Sequence, residues 1–167
     1  MKLLDTLKSL FDTSGVDKES KEILKSFQKD HYKWMDYIDP DTNLPKEDLE
    51  RALKYTLDVL VKDYKYKLKR VVIRDKGEIV SFLIFTDSGH EVIDNIGDGN
   101  TYPVLIATAV HPDYRNRGLL RMMIDNSNMK KPYLVHTSVV SPPGLWEKFG
   151  CKIVKELSDK NKIMKCE

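Results

Sequence analysis

Two cysteines, Cys151 and Cys166, are all that a chain of 167 residues carries. That is too few for the disulfide framework of a small secreted domain, and no C-x-x-C spacing suggests zinc or any other metal. The two are expected to be separate thiols in a reducing cytoplasm. Charge of one sign is also scarce: the formal net charge is +2, too small an excess to argue for nucleic acid or a membrane surface as a partner. No run approaches the roughly 18 apolar residues that a membrane span needs. The first residues, MKLLDTLKSLF, mix acid with base and lack the small-residue cleavage pattern of a signal peptide. Internal repeats, low-complexity tracts and an inner linker are missing too.

What is present fits one globular domain over residues 1–167. Hydrophobic residues make up 41% and charged ones 32%, which leaves enough apolar material for a core. Up to about residue 64 the apolar residues keep helical spacing. Leu3, Leu4, Leu7, Leu10 and Phe11 mark a helical extension over 1–20. A second stripe runs from Ile23 to Ile38, and a third from Leu49 to Val61 with Pro45 at its first helical position. The aromatic cluster of Tyr32, Trp34 and Tyr37 reads as packing on a helix face.

Beyond residue 64 the pattern turns to β. Residues 69–74 and 78–86 are apolar, β-branched runs broken by Asp75-Lys76-Gly77, a hairpin turn. Asn95 to Asn100 (NIGDGN) is a loop, after which residues 104–110 (VLIATAV) read as a strand covered on both faces. A helix is expected over 118–126, with Met122, Met123 and Ile124 on its buried face. A covered strand over 133–140, a short helix over 143–149 stopping at Gly150, and a final hairpin over 152–165 follow. This order makes an α/β chain with a mixed sheet.

The most informative stretch runs from Ala109 to Arg121. A covered strand ends at Val110, a turn follows, and a helix opens around Gly118. Such a turn directs several backbone N–H groups into one space, and the helix dipole adds positive character. Arg115, Arg117 and Arg121 add charge there, and a glycine at 118 leaves room for a bulky anion. The residues alone leave two readings open: a cradle for phosphate or pyrophosphate, or a basic loop whose glycine serves only the turn.

This stretch resembles motif A of the GNAT superfamily of N-acetyltransferases, in which a strand ending in Val-x-Pro precedes Arg/Gln-x-x-Gly-x-Gly/Ala. Arg115 and Gly118 match its first and fourth positions. Leu145 to Cys151 (LWEKFGC) is similar to motif B, usually Leu-Tyr-Glu-Lys-x-Gly-Phe. The motifs span residues 104–151, and the resemblance by element order covers about 22–166.

The resemblance implies the GNAT acyl-CoA N-acyltransferase fold, a mixed central sheet flanked by helices. Acetyl-coenzyme A is the implied cosubstrate. Its pantetheine arm would lie beside Thr108, Ala109 and Val110, where two neighbouring strands splay. Its pyrophosphate would rest on Asn116, Arg117, Gly118, Leu119, Leu120 and Arg121, with Arg115 beside them. The acceptor would be a primary amine on a small molecule or a protein, attacking the thioester directly. The second function open at this point is a lapsed member that binds coenzyme A or a protein partner. The first two helices and the NIGDGN loop are expected to shape the acceptor surface.

Several positions depart from the family pattern. Leu120 stands where Gly or Ala is usual, so its branched side chain either turns toward the core or narrows the cradle. Trp146 stands at the usual general-acid tyrosine, and an indole gives up no proton at neutral pH. The region 139–143 (VVSPP) lacks the frequent asparagine, Cys151 replaces a phenylalanine, and an expected first strand is missing. The sequence does not identify the general base. His136, mid-strand, is either a proton relay or a hydrogen-bonded core histidine. Glu91 and Asp94 are candidates too, though each reads more simply as a solvated acid. His111 is expected to contact only its own loop.

Overall fold

The computed structural model describes Lys18, Glu22 and residues 68–87, 96–137, 144–157 and 161–167. Lys18 and Glu22 are helical. The helical stripes expected before residue 64 lie outside this set, as do Glu91 and Asp94. Six strands, one α-helix and two short 3-10 turns make up the described elements. They are β1 (Lys69–Asp75), β2 (Glu78–Thr86), β3 (Val104–Val110), α1 (Leu119–Ser127), β4 (Tyr133–Thr137), β5 (Cys151–Glu156) and β6 (Lys162–Cys166). They form one mixed sheet in the order β1-β2-β3-β4-β6-β5. Only β3 and β4 are parallel; every other neighbouring pair is antiparallel.

Local chemistry accounts for the boundaries. Lys76 and Gly77 both have positive φ, 50° and 80°, in a two-residue connection whose twist suits a hairpin. Asp75, expected in the turn, instead pairs with Glu78 as the last rung of β1. The short helix expected over 143–149 is a turn followed by a single 3-10 turn, Glu147–Phe149. Its end is a Schellman closure. Gly150 takes φ 78°, its N–H bonds to Glu147 O at 3.0 Å, and the Cys151 N–H reaches Trp146 O at 3.1 Å. So short a segment cannot accumulate α-type bonds before the glycine stops it.

The core lies on both faces of the sheet. On one, α1 presents Met123, with Leu120 and Ile124 beside it, to Leu83, Phe85, Leu105, Tyr133 and Val135. On the other, the alternate residues Phe82, Ile84, Leu134 and Ile163 are equally buried. Each fully buried side chain of this size contributes about 1.5–3 kcal/mol by leaving water. The helix stripe runs 120, 123, 124, 127, so Met122 falls off it and is 48% exposed, contrary to the sequence expectation.

A further expectation is corrected. Cys151 and Cys166 are not separate thiols: they sit directly opposite each other on β5 and β6 and are joined by a disulfide. The pairing removes the free thiols on which a reducing compartment was inferred. The sequence spacing was uninformative because only strand register brings them together. The NIGDGN loop leads into the start of β3, at the far end from Val110. There Asp98 accepts from the Tyr102 hydroxyl and from the Asn100 N–H, while Lys165 of β6 lies over the Tyr102 ring at 5.1 Å. The hydrogen bonds from Tyr102 and Asn100 hold the Asp98 carboxyl below its ordinary value.

Candidate functional site

The site begins where two strands part. Among the described residues β3 and β4 pair only through Val104 with Leu134 and Leu105 with Val135. On its other edge β3 stays paired with β2 as far as Val110, but not regularly. Ile84 faces Ala107 while Phe85 faces Leu105, so Ile106 has no counterpart. A bulge of this kind bends its strand and raises the local twist, and here it coincides with the point where β3 leaves β4. Among the described residues no strand pairs with the β4-side edge from Ile106 to Val110.

The turn after β3 is braced from several sides. The His111 N–H extends the ladder to Val80 O at 2.8 Å, and its buried ring accepts from the Asp113 N–H through Nδ1 at 3.2 Å. His111 therefore anchors the loop to the strand end as well as contacting it. Arg115 Nε donates to Val110 O at 3.3 Å, and Arg117 donates to Asp113 O at 3.1 Å while lying over the Tyr114 ring at 5.1 Å. The Tyr114 hydroxyl donates to Asp75 at 2.5 Å. That bond raises the Tyr114 pKa above its ordinary value, because the un-ionised hydroxyl is the form that donates.

The backbone then turns left-handed twice, at Asn116 (φ 60°) and Gly118 (φ 73°). The first intrahelical bond of α1 runs from the Met122 N–H to Gly118 O at 3.1 Å. The N–H groups of Leu119, Leu120 and Arg121 precede it and have no partner within the helix. Among the described residues no side chain caps this end, and no acid lies in its first turn. A Cβ placed on Gly118 would meet none of the described residues within 4 Å. Among the described residues the glycine is thus required by its left-handed backbone rather than by a close neighbour, and none of them fills the space beside it. Leu120 is half-buried against the core cluster, so of its two readings the core-facing one holds. Arg121 is exposed, its guanidinium 4.6 Å from the centre of the Phe149 ring.

The remaining candidates are dispersed. Thr108 donates its hydroxyl to Phe82 O at 2.9 Å, Ala109 is buried opposite Phe82, and Val110 is half-buried. His136 is half-buried on β4, one residue past the last β3–β4 pair and opposite Ile163 of β6. Trp146 is 4% exposed, tilted against Phe149 at 5.7 Å, and its indole N–H has no partner among the described residues. Sequence reasoning missed Asp75 and Phe149, because no local pattern links either to Tyr114 or Arg121. Among the described residues no three His, Cys, Asp or Glu side chains converge as a metal site, and no helix is long and apolar enough to cross a membrane.

No family model matches the sequence, and neither does any curated protein. Solved structures do match. An acetyltransferase from Thermus thermophilus is 13% identical, with 88% of this chain and 89% of that one covered at a TM-score of 0.55. The histone acetyltransferase HPA2 and related acetyltransferase from Corynebacterium glutamicum is 15% identical, with 92% and 89% covered at 0.50. The ribosomal-protein-alanine N-acetyltransferase from Brucella melitensis biovar Abortus is 24% identical over 44% of this chain, which spans 50% of that protein, at 0.31. Identities this low compare backbones, not chemistry. The first two superpositions run over most of both chains and agree with the motif resemblance: this chain has the GNAT acetyltransferase fold.

Proposed function

We propose that the protein is an N-acetyltransferase that moves an acetyl group from acetyl-coenzyme A to a primary amine by direct attack. The observation that carries this is the parting of β3 from β4 at the Ile106 bulge, next to a helix start at Gly118 that no described residue covers. The residues present fit the coenzyme. The N–H groups of Leu119, Leu120 and Arg121 would hold the pyrophosphate, with Arg117 and Arg121 adding positive charge on either side of the glycine. The edge of β3 at Thr108, Ala109 and Val110 would take the amides of the pantetheine arm in the manner of an added strand. Arg115 keeps the strand end in place through Val110 O.

Acetyl-coenzyme A supplies an acyl group activated as a thioester. His136, where the strands part, is assigned as the proton acceptor for the incoming amine. Trp146 Nε1 keeps its proton at neutral pH and is no general acid, so the thiolate released as the C–S bond breaks would take its proton from solvent. The acceptor is an amine-bearing small molecule or a protein.

A second reading is favoured by the burial of Trp146 in the core at the usual acid position. In it the chain has lost chemistry and acts as a coenzyme-binding or protein-binding module.

Thermal unfolding with ligand tests both. At about 100 times the dissociation constant, linkage gives roughly 2.7 kcal/mol, a rise in melting temperature of about 5–10 °C for a domain of this size. Acetyl-coenzyme A and free coenzyme A should act alike, and adenosine should do almost nothing. A rise without thiol release across a panel of amines and peptides would select the binding module. No rise at saturating acetyl-coenzyme A would defeat both cofactor-based readings.

A further inference from the structure

Of the three arginines around Gly118, two are tied down by hydrogen bonds. Arg115 donates through Nε to Val110 O, and Arg117 donates to Asp113 O in addition to lying over Tyr114. Arg121 differs. Among the described residues no hydrogen bond or ion pair holds its guanidinium, and its partner is the Phe149 ring at 4.6 Å. A guanidinium lying against an aromatic ring keeps the N–H groups on its rim free to donate, so the contact fixes direction without consuming the fork that binds a phosphate. An untethered arginine side chain would have to lose its rotamer freedom on binding, which weakens association.

The platform itself is held from several sides. The Phe149 N–H bonds to Trp146 O at 3.0 Å, and the ring is tilted against the buried Trp146 indole. The next residue, Gly150, closes the Schellman turn, and Cys151 beyond it is bonded to Cys166 of β6. The ring is therefore attached to the β5–β6 side of the sheet, while Arg121 belongs to the first turn of α1. This contact joins the two motifs.

We infer that Phe149 is a positioning residue: it holds the Arg121 guanidinium ready for the coenzyme's phosphates and is not merely a lid over the core. This rests on the coenzyme reading above. A ring that only covers the core would affect ligand binding through stability, and its effect would be independent of Arg121. A ring that positions Arg121 loses its effect once the guanidinium is gone.

The test is a double-mutant cycle read as coenzyme A affinity by calorimetric titration of the full chain. Arg121→Gln should weaken binding about five- to tenfold. Phe149→Leu should weaken it about two- to fivefold, and the loss should shrink as ionic strength rises. The double variant should lose no more than Arg121→Gln alone, and Phe149→Tyr, which keeps the ring face, should bind like the natural protein. Should Phe149→Leu fail to fold, Phe149→Met takes its place in the cycle. If the natural protein binds coenzyme A but the two losses multiply in the double variant, the positioning role is overturned while the coenzyme site stands. If the natural protein does not bind coenzyme A at all, the coenzyme reading falls and this inference with it.

Discussion

The Tyr114 hydroxyl donates to the Asp75 carboxylate at 2.5 Å, joining the loop before Gly118 to the last residue of β1. The two residues are 39 positions apart, and their contact holds the proposed cradle against the edge of the sheet. Tyr114→Phe should therefore lower both the melting temperature and coenzyme affinity at neutral pH. The sign of the pH dependence follows from the raised Tyr114 pKa. The stabilising contribution is complete below the ordinary tyrosine value of about 10 and disappears as pH rises through the higher folded-state value. The gap in melting temperature between the two proteins should close in alkaline solution. A gap that stays constant through that range would show that the hydroxyl is not the source of the effect.

Gly118 carries φ 73°, and no described residue lies within 4 Å of its missing Cβ. Alanine there should cost about 1–2 kcal/mol through left-handed strain alone, or about 2–8 °C in melting temperature. Glutamate should cost similar stability and in addition abolish coenzyme binding, since it puts a carboxylate where the anion is expected. Equal coenzyme affinity in the natural protein and Gly118→Glu, by calorimetry, would place any cofactor elsewhere.

Leu120 packs toward the core rather than into the space above Gly118. Shortening it should not widen the cradle. Leu120→Ala is expected to destabilise the fold by about 1–3 kcal/mol, less than a fully buried leucine because the side chain is half-exposed, and to weaken coenzyme binding by loosening the helix start. Denaturant unfolding and a titration decide this. Tighter binding in the alanine variant would mean that the side chain crowds the ligand after all.

The Cys151–Cys166 bond closes a loop with a sequence separation of 15. Constraining the unfolded chain over such a loop is worth about 3 kcal/mol in the chain-entropy model. Reduction, or replacement of both cysteines by alanine, should lower the melting temperature by about 6–12 °C. An unchanged melting temperature under a strong thiol reductant, with free thiols confirmed by titration, would count against a bond in solution.

Much of this protein is legible from its sequence because the signals are local. The β-branched run Val104–Val110 sets a covered strand, since apolar side chains on both faces can be buried only inside a sheet. Lys76-Gly77 sets a hairpin because a two-residue connection needs two positive φ values. Gly118 before a helical stripe marks the turn that enters α1. Contacts between distant residues needed the tertiary structure. Strand register made Cys151 and Cys166 neighbours, and the Ile106 bulge turned β3 away from β4. Packing of α1 on the sheet decided that Leu120 faces inward, and brought Phe149 under Arg121. Periodicity reports which face of an element is apolar, whereas register and packing depend on every other element the chain must accommodate at once.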